Sequence, residues 1–81
     1  MNEIVTHSSD IDMYLIIGDE KHSVHAVGGD KLTMRDPVDI PISPVELFIV
    51  VDGRVTRRKG TLRYAMSSKR KEVFVDYEIG A

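Results

Sequence analysis

The chain has 81 residues, which is enough for one small domain with a modest core. It contains no cysteine, which excludes a disulfide framework, a thiolate zinc site and a cysteine nucleophile, and favours the cytoplasm. With no tryptophan, three tyrosines and two phenylalanines, the chain offers few rings on which nucleic-acid bases could stack.

The formal net charge of −2 conceals an asymmetry between the two parts of the chain. Residues 1–53 contain ten acidic and three basic residues, whereas residues 54–81 contain eight basic and three acidic residues. A reversal of sign on this scale indicates that the basic part faces an anionic partner or forms a solvated edge.

The first half of the chain is read as an N-terminal segment followed by short strands. Residues 1–10 are polar and predict a loosely ordered segment, without the apolar run of a signal peptide. Residues 11–81 are expected to form a single small β domain. A strand-like run at 13–17 ends at Gly18-Asp19, residues 21–27 alternate, and Gly28-Gly29 precedes a short strand at 31–35.

All three prolines lie within residues 36–44, which predicts an extended connection. Its apolar residues Val38, Ile40 and Ile42 alternate with polar residues and prolines. This alternation favours a segment that lies across the edge of a barrel or sandwich, because a flexible linker would not require it.

The clearest local signal is a hairpin in the second half of the chain. Asp52-Gly53 follows the apolar run 45–51, and this dipeptide favours a two-residue type I′ turn. Such a turn places Val51 opposite Arg54 and Glu46 opposite Lys59. Gly60 is expected to mark a bend or bulge, and residues 71–77 alternate as a final strand.

These elements predict an all-β fold, a small barrel or sandwich of five to six mainly antiparallel strands. The residues expected in its core are Tyr14, Ile16, Val24, Leu32, Leu47, Ile49, Val55, Val73 and Val75.

No motif indicates catalysis, and we expect neither a cofactor nor a metal. His22 and His25 are three residues apart, so a regular strand would direct them to opposite faces. The chain has no Gly-x-Ser-x-Gly elbow, and Gly28-Gly29 lacks the Lys-Ser/Thr or third glycine of phosphate-binding loops. A non-catalytic protein is therefore the prediction.

The candidate binding residues lie in the basic segment 54–71 and would contact an anionic partner. They are Arg54, Arg57, Arg58, Arg63, Lys69 and Arg70. Alternation along a strand would divide Arg54 and Arg58 from Arg57, so the charge would be shared between two faces.

Arg54 and Arg58 have the Arg-x-x-x-Arg spacing with which barrels of the PilZ type bind a cyclic dinucleotide. In that pattern the arginines precede the barrel and an Asp/Asn-x-Ser-x-x-Gly motif follows. This chain resembles it only in the arginine spacing, because the pair lies in a hairpin and the second motif is absent. We therefore do not assign the chain to that family.

Two functions remain open. The first is a protein-interaction or assembly module, which would bind another protein or a second copy of itself as a homodimer. The alternative is a weak binder of an anionic ligand, nucleic acid or nucleotide, through segment 54–71. The short apolar runs give no indication of a membrane-spanning segment.

Overall fold

The computed structural model describes residues 10–79, which form a closed barrel of six antiparallel strands. The predicted all-β class is confirmed, and the barrel is the correct one of the two expected architectures. The predicted loose segment 1–10, apart from Asp10, lies outside the described residues. The strands are β1 (Ile11–Ile17), β2 (Glu20–Gly28), β3 (Lys31–Met34), β4 (Pro44–Val51), β5 (Arg54–Leu62) and β6 (Glu72–Tyr77).

Two three-stranded meanders build the barrel. β1, β2 and β3 follow one another in the sheet, as do β4, β5 and β6. The barrel closes because β1 pairs with β4 and β3 pairs with β6, both antiparallel. A β-bulge between Val24 and Ala26 shifts the register of β2 with β3, directly after Ser23, the last residue of β2 that pairs with β1.

The connection 35–43 between the meanders crosses one end of the barrel. Ile40 forms an isolated antiparallel bridge with Met66 and packs against the core. The Asp39 carboxylate accepts hydrogen bonds from the backbone N–H and hydroxyl of Ser68, at 2.9 and 3.3 Å. The expected path across a barrel edge is therefore confirmed for Ile40, whereas Val38 and Ile42 remain exposed.

The hairpin predicted from Asp52-Gly53 is confirmed. Both residues have positive φ, 50° and 84°, as a type I′ turn requires. The register also agrees, with Val51 opposite Arg54 and Glu46 opposite Lys59.

Gly60 does not interrupt this ladder, so the bulge expected there is wrong. The pairing of β4 with β5 continues through Gly60 without a register shift. The glycine instead allows β6 to approach closely, because an added Cβ would lie only 2.7 Å from Val75 Cγ1.

The core prediction is correct for five of its nine members and needs four corrections. Val24, Leu32, Leu47, Val73 and Val75 are buried, together with Leu15, Ile17, Met34, Val45, Leu62 and Met66. The other predicted members are Tyr14 and Ile16, which face outwards, Ile49, which is only partly buried, and Val55, which is exposed.

β1 is apolar in both registers, and the structure places Leu15 and Ile17 inside. Tyr14 lies on the outer surface, where its ring stacks on Phe48 of β4 with 5.1 Å between ring centres. Stacking on Phe48 buries part of the Tyr14 ring on the outer face of the sheet, so Tyr14 is stabilised there without entering the core.

Candidate interaction surface

β5 extends beyond its neighbour β6 and leaves an unpaired backbone edge. β5 pairs with β4 from Arg54 to Thr61, whereas its ladder with β6 covers only Gly60, Thr61 and Leu62. Within residues 10–79, therefore, no strand lies beside residues 54–59 on the side away from β4. We call this side of residues 54–59 the open edge.

The hairpin register determines which backbone groups face the open edge. A two-residue turn closes on a hydrogen-bonded pair, here Val51 and Arg54, and bonded pairs then alternate along the ladder. Arg54, Thr56 and Arg58 thus direct their N–H and C=O groups to β4, and Val55 and Arg57 direct theirs outwards. The Lys59 carbonyl confirms this alternation, because it accepts a hydrogen bond from the Glu78 N–H at 2.8 Å.

Four of the six residues at the open edge are cationic, and two of these side chains are held by neighbours. Arg57 Nε lies 3.1 Å from Glu46 Oε2 on the outer face. The Arg58 guanidinium carbon lies 3.9 Å from the centre of the Tyr77 ring, a cation–π contact. Arg54 and Lys59 form no ion pair with any residue in the range 10–79, so their charges face solvent.

Exposed apolar side chains accompany these cations. Val55 is 61% exposed on the open edge itself. Ile11 and Val51, which lie opposite each other on β1 and β4, are 59% and 38% exposed near the same turn. Cationic and apolar side chains therefore share this end of the sheet, a mixture suited to binding a polypeptide.

The six candidate residues do not form one surface. Arg54, Arg57 and Arg58 lie on the open edge. Lys69 and Arg70 lie in the loop that joins β5 to β6, at the end of the barrel opposite the Asp52-Gly53 turn. A single small anion could not contact Arg54 and this loop together, because the nine residues of β5 span roughly 30 Å.

Arg63 forms ion pairs with two carboxylates of the barrel, those of Asp30 and Asp76. One of its terminal nitrogens donates to Asp30 at 2.6 Å and to Asp76 at 2.7 Å, and its Nε donates to Asp76 at 2.9 Å. These hydrogen bonds raise the pKa of Arg63, and the bond from Arg63 lowers the pKa of Asp30. The cluster links the turn before β3 to β6, which leaves Arg63 little capacity for an external anion.

The sequence did not indicate that Val55 and Lys59 belong to this surface, or that the Tyr77 ring holds Arg58 in place. The sequence predicts Val55 in the core, and it predicts Lys59 opposite Glu46 without indicating it as a binding residue. The difference between β5 and β6 is one of length, since β5 has nine residues and β6 has six, and the sequence 54–62 has no apolar alternation that would show where β5 ends.

A cleft of about 600 Å³ lies at the edge of the barrel beside this surface. Ile17, Ile40 and Val45 contribute to its apolar wall, and Lys59 and Glu78 belong to its rim. The same two residues, with Arg57 and Arg58, line a second depression. The cleft is therefore adjacent to the open edge.

The histidines do not assemble a metal centre within the part of the chain that the structure describes. No group of three or more His, Cys, Asp or Glu side chains there could hold an ion. His22 lies 3.7 Å from Glu20, and His25 is exposed at the bulge of β2. His7 lies outside the described residues.

Comparison of the chain with protein-family models, curated proteins and solved structures gave no match in any of the three. Residues 10–79 contain no helix that could cross a membrane.

Proposed function

We propose that this protein is a non-catalytic interaction module that binds an extended, acidic segment of a partner protein along the open edge of β5. The segment would add a strand to the sheet, a recognised mode of peptide binding. One observation carries the proposal: among residues 10–79, a strand pairs with residues 54–59 on one side only, and the backbone groups of Val55 and Arg57 are directed to the other side.

The charge of the open edge favours a foreign acidic segment over a second copy of the same edge. In a two-fold antiparallel pairing centred on Thr56, Arg54 of one copy would lie opposite Arg58 of the other. Like charges directly opposite each other destabilise a sheet pair. Acidic side chains at the same positions would replace this repulsion by attraction.

The aromatic residues support a polypeptide partner rather than a nucleic acid. Tyr14 stacks on Phe48 and is covered by the Lys21 ammonium, 4.4 Å from the ring centre. Arg58 covers Tyr77, and Tyr64 meets Phe74 edge to face. Single-stranded nucleic acids gain much of their affinity by stacking on free ring faces. The absence of cysteine supports a cytoplasmic location for this interaction.

A single proline substitution, at Val55, tests strand addition directly. Val55→Pro removes an outward N–H but no hydrogen bond to β4, and proline is accepted on edge strands. Val55→Ala is the matched control, since it shortens the same side chain and retains the N–H. The probe is the acetylated and amidated peptide Asp-Thr-Thr-Val-Asp, titrated into ¹⁵N-labelled protein by NMR, with melting temperatures recorded for both variants.

The proposal predicts that Val55→Pro abolishes peptide binding and that Val55→Ala weakens it only slightly. Equal binding by the two variants would contradict strand addition. A duplex oligonucleotide serves as the second ligand, because binding driven by charge alone falls steeply with salt and does not need the Val55 N–H. Binding of the oligonucleotide but not of the peptide would favour the anionic-ligand alternative instead. Self-association of the free protein in light scattering would favour the homodimer.

A further inference from the structure

The open edge has a length, direction and side-chain pattern that restrict the segment it can accept. The available edge begins at the Asp52-Gly53 turn and ends at Lys59, whose carbonyl already accepts the Glu78 N–H. Five positions therefore remain, opposite residues 54–58, a length of about 17 Å.

Antiparallel addition fits the backbone groups that the edge presents. Val55 and Arg57 each direct one N–H and one C=O outwards, and in an antiparallel ladder each can exchange both bonds with the residue opposite. β6 already lies antiparallel on the same side of β5, at Gly60, Thr61 and Leu62. The added segment would therefore run from a position opposite Arg58 to one opposite Arg54.

The alternation of faces assigns a side-chain type to each position. The first, third and fifth residues of the segment would share a face with Arg58, Thr56 and Arg54, because residues opposite each other project to the same side. The second and fourth would share the other face with Arg57 and Val55. Arg57 is already paired with Glu46 at 3.1 Å, so the second position has no charge requirement.

We infer that the bound segment carries acidic residues at its first and fifth positions and an apolar residue at its fourth. The acids meet Arg58 and Arg54, and the apolar side chain packs on the exposed Val55. Arg58 is positioned for this contact by the Tyr77 ring beneath it. This inference rests on the proposed function and specifies the partner of the same edge.

Two peptides of identical composition test the pattern. Acetylated and amidated Asp-Thr-Thr-Val-Asp places both acids opposite arginines, four residues apart. The permuted peptide Thr-Asp-Thr-Asp-Val has its acids only two residues apart, so in no register can both meet Arg54 and Arg58. NMR titration should give about ten-fold tighter binding for the first peptide, from two favourable cross-strand charge pairs. The largest shifts are expected at the amides of Val55 and Arg57.

A charge exchange at the turn provides the reciprocal test. Arg54 is exposed and forms no ion pair with the residues that the structure describes, so Arg54→Glu should leave the barrel intact, which its melting temperature checks. This variant should prefer Asp-Thr-Thr-Val-Lys to Asp-Thr-Thr-Val-Asp, the reverse of the unaltered protein.

The possible results separate the inference from the function on which it rests. Equal affinity for the two peptides of identical composition, with shifts at Val55 and Arg57, would overturn the pattern and leave strand addition supported. An unchanged preference in Arg54→Glu would also overturn the pattern. If neither peptide shifts these amides at several millimolar, the proposed function itself is wrong.

Discussion

A Cβ atom built on Gly60 of β5 would lie 2.6 Å from the carbonyl oxygen of Asp76 on β6. The obstacle is backbone, which cannot move aside as the end of a flexible side chain can. Gly60→Ala should therefore destabilise the protein by about 1–3 kcal/mol, the usual range for overpacking. Urea unfolding measures this change.

Gly28→Ala is the matched control for Gly60, because an added Cβ there has no heavy atom within 4 Å. The control should be neutral or stabilising by about 0.5 kcal/mol, since alanine restricts the unfolded chain. Equal unfolding free energies for the two variants would mean that β5 and β6 are not in close contact at Gly60.

The Asp52-Gly53 turn gives a second prediction. Gly53 has φ of 84°, so Gly53→Ala should destabilise by about 1 kcal/mol through strain at a positive φ. Asp52→Asn should be close to neutral because asparagine favours the same turn and retains the side-chain oxygen that accepts the Asp10 N–H. Thermal melts of both variants check this pair, and an unchanged midpoint for Gly53→Ala would contradict the type I′ geometry.

Tyr77 provides a prediction at alkaline pH. Burial raises the pKa of its phenol, partly offset by the Arg58 charge, and the hydroxyl has no hydrogen-bond partner within residues 10–79. Above the unfolded-state pKa of about 10, the folded state holds the proton more tightly than the unfolded chain, so stability falls as pH rises. Tyr77→Phe should remove this loss and stabilise the protein at pH 7 by about 1 kcal/mol, because an unpaired buried hydroxyl is eliminated.

Unfolding in denaturant at pH 7 and at pH 10.5 measures the effect of Tyr77→Phe. Tyr64→Phe is the control, because Tyr64 is 62% exposed and its hydroxyl can be hydrated. A Tyr77→Phe variant that loses as much stability as the unaltered protein between the two pH values would contradict the prediction.

Asp30 gives the corresponding prediction in acid. Its hydrogen bond from Arg63 lowers its pKa in the folded state. Between that lowered pKa and the unfolded value of about 3.9, the unfolded chain binds more protons. The stabilisation is therefore present above the unfolded pKa and is lost as pH falls through the folded pKa.

Asp30→Asn should accordingly show a smaller fall in melting temperature than the unaltered protein when the pH is lowered from 5 to 2.5. Asp19→Asn is the comparison, because Asp19 forms no ion pair within the described part of the chain. Parallel pH profiles for Asp30→Asn and the unaltered protein would show that the Arg63 cluster does not contribute.

The fold was predictable wherever a local signal determined the backbone. Asp52 and Gly53 impose their own turn geometry, and the whole β4–β5 register follows from a two-residue loop. Apolar or alternating runs likewise indicated β1, β2, β3, β4 and β6. The turn, the hairpin register and the strands are determined by residues close together in the chain, so they can be predicted from one sequence.

What could not be predicted depends on strands that are distant in sequence. Tyr14 and Leu15 are both apolar, and only the pairing of β1 with β4 decides which of them faces inwards. Val55 lies opposite Val50, and the pairing of β4 with β5 places both on the outer face with Phe48, whereas Leu47 faces the core. The open edge has the same origin, so the sequence indicated basic charge but not the unpaired backbone beside it.

The two-meander topology also has a consequence for the order of folding. Turns and loops within each meander join neighbouring strands, whereas barrel closure pairs Ile11 with Val51 and Lys31 with Phe74. The entropy of closing these long loops must be overcome before the contacts stabilise the chain. We expect the hairpins to form first and folding to take milliseconds to seconds, as is typical of β proteins rich in non-local contacts. The β3–β6 seam, with only three residue pairs, is where the barrel should close last and open first.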